Sequence, residues 1–169
     1  KTAEVKAENK TEKPKTAPKP KAPVELKDYG FVAVCMGKGI TNILKDLGVD
    51  RVIEGGQTMN PSTDDILKAV KRVKAKTVYV FPNNKNIIMA ANQAAELVED
   101  KKIVVIPSKS VPQCISAMVE FNDKKSAEAN EKAMNKAIGR VTSGQLTYAV
   151  RDTEIDGIEI KKDDILGMV

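Results

Sequence analysis

The chain has 169 residues, of which 41% are apolar and 4% aromatic, and a formal net charge of +5. This length allows one domain with a substantial, mainly aliphatic core. The sequence contains no histidine, which excludes the commonest general base and the commonest metal ligand.

Residues 1–28 are rich in lysine, alanine, glutamate and proline. They hold eight lysines against four glutamates and one aspartate, so they supply +3 of the net charge and leave +2 for residues 29–169. Such a segment buries too little apolar surface to offset its ordering entropy, and we expect a disordered linker. We expect an α/β domain over residues 29–169 that lacks its last C-terminal part, because the sequence stops within the apolar stretch Ile165–Val169.

The rest of the chain alternates short apolar strands with amphipathic helices. The pattern predicts strands over Phe31–Met36, Arg51–Ile53, Thr77–Phe81 and Lys102–Ile106, and helices over Ile40–Leu47, after Ser62, around Ile87–Val98, near Val111–Phe121 and over Ser126–Ile138. This alternation predicts an α/β fold with an open, mainly parallel sheet flanked by helices. Further on, Gln145–Arg151 alternates as a strand does, and Ile155–Ile158 has the sequence of a two-residue hairpin turn. We therefore expect a C-terminal antiparallel β-hairpin appendage.

Two polar tracts follow strands of the predicted sheet. The first, Gly55–Thr63, reads GGQTMNPST, and the second, Pro82–Ile88, reads PNNKNII. Because the carboxyl ends of parallel strands lie at one edge of a sheet, we expect the tracts to converge where open sheets bind ligands. The residues that we assign to partner or ligand binding are Gly55, Gly56, Gln57, Thr58, Asn60, Ser62, Thr63, Asn83, Asn84 and Lys85.

Both tracts also have purely structural interpretations. Paired glycines suit a tight turn with positive φ, and one asparagine or serine suffices to cap the helix that follows. The functional interpretation is a backbone nest for an anion or a carboxylate, with amides that recognise a polar ligand or partner. It is favoured because Gly55–Thr63 is longer than a connection requires and Asn83–Asn86 carries three amides. The pattern leaves both interpretations open.

Motifs that support catalysis are weak. Gly37-x-Gly39-x-x-Asn42 imitates a dinucleotide fingerprint, but the third glycine, which lets helix and strand pack closely, is missing. No Walker sequence and no carboxylate cluster for magnesium lie at the predicted edge. Cys35 and Cys114 lie in apolar patterns, which favours buried free thiols over a disulfide or a nucleophile. We assign no catalytic and no metal-binding residue.

Composition also bears on partners and location. Basic residues are not gathered with stacking aromatics, so we expect no nucleic-acid binding. No apolar run reaches the length of a membrane span and the N-terminus is no signal peptide, so we expect no membrane insertion. Free thiols indicate a reducing compartment, and we expect a cytoplasmic protein.

Several segments carry a resemblance to a known family: GFVAV, GKGI, LGVDRVIEGGQTMNPSTDDILKAV, VFPNNKNIIMAANQAAEL and TYAVRDTEIDGIEI. From about Tyr29 to Val169 the chain resembles the C-terminal domain of the bacterial fatty acid kinase A subunit, a dihydroxyacetone kinase-like protein. The resemblance implies a fold related to DegV. It also implies that an N-terminal DhaL-like domain, absent here, binds ATP and magnesium, and that an absent middle domain dimerises.

The same resemblance implies a partner. In that family the C-terminal domain engages a fatty-acid-binding, DegV-like B subunit, whose acyl carboxylate is phosphorylated by the kinase. The family's catalytic residues have no counterparts here, so what the resemblance implies for this chain is a non-catalytic docking role without a cofactor of its own. The alternative is a stand-alone α/β enzyme or sensor that binds a nucleotide or a phosphorylated small molecule at the carboxyl edge of the sheet.

Overall fold

The computed structural model describes residues 26–56, 59–155 and 157–169. The strands are β1 (Lys27–Cys35), β2 (Arg51–Glu54), β3 (Ala75–Phe81), β4 (Lys102–Val105), β5 (Gln145–Tyr148), β6 (Thr153–Ile155), β7 (Ile158–Ile160) and β8 (Ile165–Met168). The helices are α1 (Lys38–Asp46), α2 (Thr63–Arg72), α3 (Lys85–Glu96), α4 (Val111–Glu120) and α5 (Ala127–Ile138). Short strands therefore alternate with helices up to β4, as the sequence pattern predicts.

The first four strands form one parallel sheet in the order β2-β1-β3-β4. From β1 the chain steps to β2 on one side and then crosses back to β3 on the other side. The direction of winding thus reverses between β1 and β3. Open sheets bind ligands outside the carboxyl ends of the strands at such a reversal. The prediction of an open, mainly parallel sheet flanked by helices is confirmed.

Two apolar clusters cover the two faces of this sheet. Helices α2 and α3 pack on one face, while α1, α4 and α5 pack on the other. Side chains of β1 and β3 alternate between the clusters because successive residues of a strand point to opposite faces. Fully buried members include Val32, Val78, Ile66, Val70 and Ile87 on the first face and Ala33, Tyr79, Leu44, Cys114 and Met134 on the second. This burial holds the loops at the carboxyl ends of the strands in fixed relative positions.

Strand β1 begins at Lys27, earlier than the start predicted at Phe31. Lys27 pairs with Ala75 of β3, and its ammonium lies 2.8 Å from a carboxylate oxygen of Asp50. Backbone pairing with β3, which itself begins at Ala75, extends the strand beyond its apolar run, and a hydrophobic pattern does not report such pairing. The linker boundary predicted at residue 28 therefore falls inside β1. Residues 1–25 lie outside the described residues, and their disorder stays a prediction.

The C-terminal region forms the antiparallel appendage that the sequence predicts. Strand β5 pairs with β8, and β6 pairs with β7. Ile155 lies opposite Ile158 across the predicted hairpin turn, and Gly157 has a φ of +79°. The strand predicted over Gln145–Arg151 ends at Tyr148. Ala149 still exchanges backbone hydrogen bonds with Asp163 and Asp164, just before β8, and the chain then enters the β6–β7 hairpin.

Candidate functional site

The loops that follow the four parallel strands lie at one edge of the sheet, which we call the carboxyl edge. It comprises residues 36–37, 55–62, 82–84 and 106–110, of which Gln57 and Thr58 lie outside the described residues. The side-chain amide of Asn84 donates a hydrogen bond to the carbonyl oxygen of Gly56. The two tracts assigned from the sequence therefore meet in the structure.

Gly55 and Gly56 shape the first tract. Gly55 donates its N–H to the carbonyl of Cys35 at 3.1 Å and so prolongs the pairing of β1 with β2. Its φ is +155°, and a Cβ built on it would lie 2.6 Å from the carbonyl oxygen of Met59. Gly56, with a φ of +119°, donates its N–H to the same oxygen at 3.0 Å. The loop therefore folds back on itself so tightly that position 55 accepts no side chain without a shift.

The outermost described residues of this loop are Met59 and Asn60. Both are exposed, and the Met59 side chain is 72% exposed, while Pro61 behind them is buried. A single exposed apolar side chain such as that of Met59 is common on folded proteins and does not by itself mark a site. The polar side chain of Asn60 stands beside that of Met59. This part of the loop presents a small mixed surface to the outside.

The side chains of Ser62 and Thr63 form hydrogen bonds within the chain. The Ser62 hydroxyl accepts the N–H of Asp65 at 3.2 Å, and the Asp65 carboxylate accepts the backbone N–H of Ser62 at 3.0 Å, which completes the predicted capping box. The Thr63 hydroxyl donates to the side-chain oxygen of Gln93 in α3 at 3.1 Å. Ser62 thus caps α2, and Thr63 ties α2 to α3. For these two residues the structural interpretation accounts for the polar group.

Asn83 joins the ends of three strands. Its side-chain Nδ2 donates to the Val34 carbonyl of β1 at 2.9 Å, and its Oδ1 accepts the hydroxyl of Ser108 at 2.6 Å. Its backbone N–H donates to the same Ser108 oxygen at 3.2 Å. Asn83 adopts a left-handed φ of +56°, which asparagine tolerates better than most residues. The fully buried Ser108 follows β4, so Asn83 connects β1, β3 and β4 at the reversal point.

Asn84 links the second tract to the first. Its Oδ1 accepts the N–H of Asn86 at 2.9 Å and caps α3, while its Nδ2 donates to Gly56. The amides of Asn83 and Asn84, assigned to recognition from the sequence, are therefore engaged within the chain. Lys85 opens α3 beside them and is exposed. Among the described residues of the assignment, the side chains of Asn60 and Lys85 point into solvent.

The cysteine under the carboxyl edge is not poised for chemistry. Both Cys35 and Cys114 are buried free thiols, as predicted. Burial raises the pKa of the Cys114 thiol to about 12, against a smaller lowering by the neighbouring Asn83 side chain. A thiol with that pKa stays protonated at neutral pH, and the thiolate is the nucleophilic form. Cys114 is consequently a packing residue.

A groove that sequence reasoning missed runs along the outer side of β2. Its volume is about 540 Å³, and its walls are β2 and one face of α2. The groove reaches the carboxyl edge at Asn60. Its lining residues are Arg51, Val52, Ile53, Glu54, Met59, Asn60, Pro61, Asp65, Lys68, Ala69 and Arg72. In the sequence, this groove is indicated only by the charged residues at the two ends of β2, because Arg51 and Glu54 flank just two apolar residues.

Other candidate sites gain little from the structure. Asn42, at the third position of the dinucleotide-like pattern, is exposed and does not provide the close helix–strand contact of that motif. Groups of three or more His, Cys, Asp or Glu side chains able to hold a metal ion do not occur in the described residues. Within those same residues, no helix combines the length and apolar character needed to cross a membrane.

Comparison with known proteins adds a family to this geometry. Residues 30–169 match the FakA-like family, which is the C-terminal domain of fatty acid kinase A-like subunits. The chain is 56% identical over 147 residues to the protein YloV of Bacillus subtilis (strain 168), covering 87% of this chain and 26% of YloV. It is 46% identical over 165 residues to an uncharacterised protein of Staphylococcus aureus (strain USA300), covering 98% of this chain and 28% of that protein. The chain thus spans about a quarter of the length of these relatives.

Proposed function

Because the chain belongs to the FakA-like C-terminal family of fatty acid kinase subunits, we propose that it is the docking domain of a kinase of this kind. Its partner is the fatty-acid-binding B subunit, which presents an acyl carboxylate for phosphorylation. The phosphoryl donor, ATP with magnesium, binds to another domain of the parent protein. The chain itself contributes a binding surface and no catalytic group.

The observation that favours docking is the distribution of polar groups at the carboxyl edge. The side chains of Asn83, Asn84, Ser62 and Thr63 all bond within the chain. They hold the loops together instead of converging on an enclosed ligand. What faces solvent is Met59 with its polar neighbour Asn60, and Lys85 across the loop junction.

A surface of this kind suits a protein partner. Backbone bonds hold Gly55, Gly56 and Met59, and Asn84 also binds Gly56, so these described residues of the loop have little conformational freedom left to lose on binding. Methionine adapts its shape to a partner, and it is enriched at protein interfaces. We infer that Met59, Asn60 and Lys85 form the centre of the contact, with the two glycines acting as the support of the loop.

A matched pair of variants tests this assignment. Met59 and Val119 have the same exposure, 72%, but Val119 lies on α4, which packs on the opposite face of the sheet from α2 and α3. We expect the double variant Met59→Ala/Asn60→Ala to weaken calorimetric binding of the acyl-loaded B subunit by about tenfold or more, as removal of a central contact does. Val119→Ala is expected to bind as the parent does. Equal affinities for the three chains would place the contact elsewhere.

A second candidate function has one observation in its favour. The groove along β2 has the volume of a small-molecule site and carries the cationic side chains of Arg51, Lys68 and Arg72. A nucleotide or phosphorylated metabolite is the ligand class that such charges attract. Titration of the chain with ATP and magnesium separates the candidates, because the docking function predicts no saturable heat. Micromolar binding that Arg72→Ala abolishes would favour the second.

A further inference from the structure

The outer side of β2 has free backbone hydrogen-bonding groups. In the described part of the chain, β2 pairs with β1 alone and forms one border of the sheet. Gly55, just after β2, donates its N–H to the Cys35 carbonyl of β1 at 3.1 Å, in register with the pairing of Cys35 and Glu54. Backbone groups alternate sides along a strand, so those of Arg51 and Ile53 face β1, while those of Val52 and Glu54 face away from it. They face the groove that follows β2 over its full length.

The groove has the form that an added strand requires. All four residues of β2 line one wall, and the other wall is a single stripe of α2 made by Asp65, Lys68, Ala69 and Arg72. Four strand residues span about 13 Å, at the usual rise of about 3.3 Å per residue. An extended peptide laid along β2 would complete the free hydrogen bonds and continue the sheet.

The charges along the groove define which segment fits. Arg51 at the start of β2 and Arg72 at the end of α2 lie at the same end, because α2 runs back alongside β2. Within the described residues neither arginine forms a salt bridge. Glu54 lies at the opposite end of the strand. Arginine binds carboxylates through a planar pair of donors, so the groove favours a strand with an acidic side chain at the arginine end.

The other border of the sheet, β4, is less open. Its groove is smaller, about 380 Å³, and the Lys102 side chain beside it is already paired with Glu128. Lys101, just before β4, is largely buried and donates to the Val73 carbonyl at 2.8 Å. The lysines beside β4 are therefore engaged within the chain, whereas no salt bridge among the described residues involves Arg51 or Arg72 beside β2. The two borders differ in this respect.

We propose that an extended segment of the fatty-acid-binding B subunit pairs with the free side of β2 and places a carboxylate between Arg51 and Arg72. This inference rests on the proposed docking function and extends its contact from the carboxyl edge along the lateral border of the sheet. The groove reaches that edge at Met59 and Asn60, so both contacts belong to one continuous surface.

Proline substitution at matched positions tests the backbone contact. Val52 and Val105 both belong to border strands and are half-buried. The N–H of Ile106 donates to Val80 of β3 at 3.0 Å, so the N–H of Val105 points away from the sheet, as that of Val52 does. Val52→Pro and Val105→Pro thus lose the same side chain and the same kind of free donor, and proline is tolerated at an edge strand when that N–H is unpaired.

We expect Val52→Pro to weaken calorimetric binding of the acyl-loaded B subunit by about tenfold or more, and Val105→Pro to leave it within about twofold of the parent. A second pair does not depend on how proline is accommodated. We expect the double variant Arg51→Ala/Arg72→Ala to bind more weakly and to show a smaller dependence of the affinity on salt. The control is Lys132→Ala/Lys136→Ala on α5, which removes the same charge and is expected to change neither quantity.

The possible results separate the two proposals. If both β2 variants bind the B subunit as tightly as the parent chain does, strand addition is refuted while docking stands. If the parent chain shows no binding at all, the docking function fails and strand addition fails with it. If light scattering shows a dimer that Val52→Pro converts to a monomer, the border of β2 is occupied by a second copy, which also overturns the proposal.

Discussion

Asn83 is the residue whose removal most directly tests how the carboxyl edge is held together. Asn83→Ala deletes two side-chain hydrogen bonds, one to the Val34 carbonyl and one from the Ser108 hydroxyl. Each is worth about 1 kcal/mol net, and the buried hydroxyl left without an acceptor adds about 1 kcal/mol more. Alanine at a left-handed φ adds roughly another 1 kcal/mol. The expected loss in the free energy of unfolding is therefore about 4 kcal/mol.

Urea unfolding of the whole chain measures this loss, and two further variants divide it into parts. Asn83→Gly removes the same hydrogen bonds but adopts a positive φ freely, so it is expected to lose about 1 kcal/mol less than Asn83→Ala. Asn42→Ala, at an exposed asparagine of α1, is expected to stay within about 0.5 kcal/mol of the parent. An Asn83→Ala chain as stable as Asn42→Ala would refute the view that this side chain fastens three strand ends.

Three other predictions concern Gly55, the buried thiol of Cys114 and the N-terminal segment. Gly55→Ala brings a Cβ within 2.6 Å of the Met59 carbonyl, so we expect unfolding in urea to become easier by about 1–3 kcal/mol; an unchanged midpoint would mean that the loop yields freely. Because burial raises the pKa of Cys114 to about 12, we expect a thiol reagent at pH 8 to modify it only after unfolding. The folded chain keeps this proton where the unfolded chain releases it, so the contribution of Cys114 to stability is complete below its ordinary pKa of 9.0 and is lost as the pH rises toward about 12. Deleting residues 1–25 is expected to shift the free energy of thermal unfolding by less than about 0.5 kcal/mol, and a larger loss would show that the segment packs on the domain.

The features that sequence predicts well are those set by neighbouring residues. The capping box needs only Ser62 and Asp65, three positions apart, and the hairpin turn needs only the residues between Ile155 and Ile158. The parallel sheet follows from the repeated alternation of apolar strands with amphipathic helices, because each unit must bury its apolar side on the next. In these cases the local signal and the tertiary structure agree.

The role of Asn83 was not predictable from its neighbours. Its partners, Val34 and Ser108, are 49 and 25 residues away in the sequence. From sequence, a run of amides between a strand and a helix has the same appearance whether it binds a ligand or fastens loops. Only the packing of β1 beside β3 and β4 brings a carbonyl and a hydroxyl within reach of that amide.

The groove at β2 was missed for a related reason. Whether a strand is central or at the border depends on strand order, which the alternation of elements does not specify. Arg51 and Glu54 indicate a short strand with charged ends, and this is typical of sheet borders. Sequence gives no comparable indication that Arg72, on the next helix, lies along the same groove.

Competition in the phosphorylation reaction tests the docking function most directly. The assay combines a full-length family member, which carries the ATP-binding domain, with the acyl-loaded B subunit, ATP and magnesium. Added in excess, this chain is expected to lower the rate of acyl phosphate formation, with half-inhibition near its calorimetric Kd, and Met59→Ala/Asn60→Ala is expected to inhibit more weakly. In the absence of the full-length protein the chain is expected to form no acyl phosphate. A rate that stays unchanged at saturating chain, or acyl phosphate formed by the chain alone, would contradict a non-catalytic docking domain.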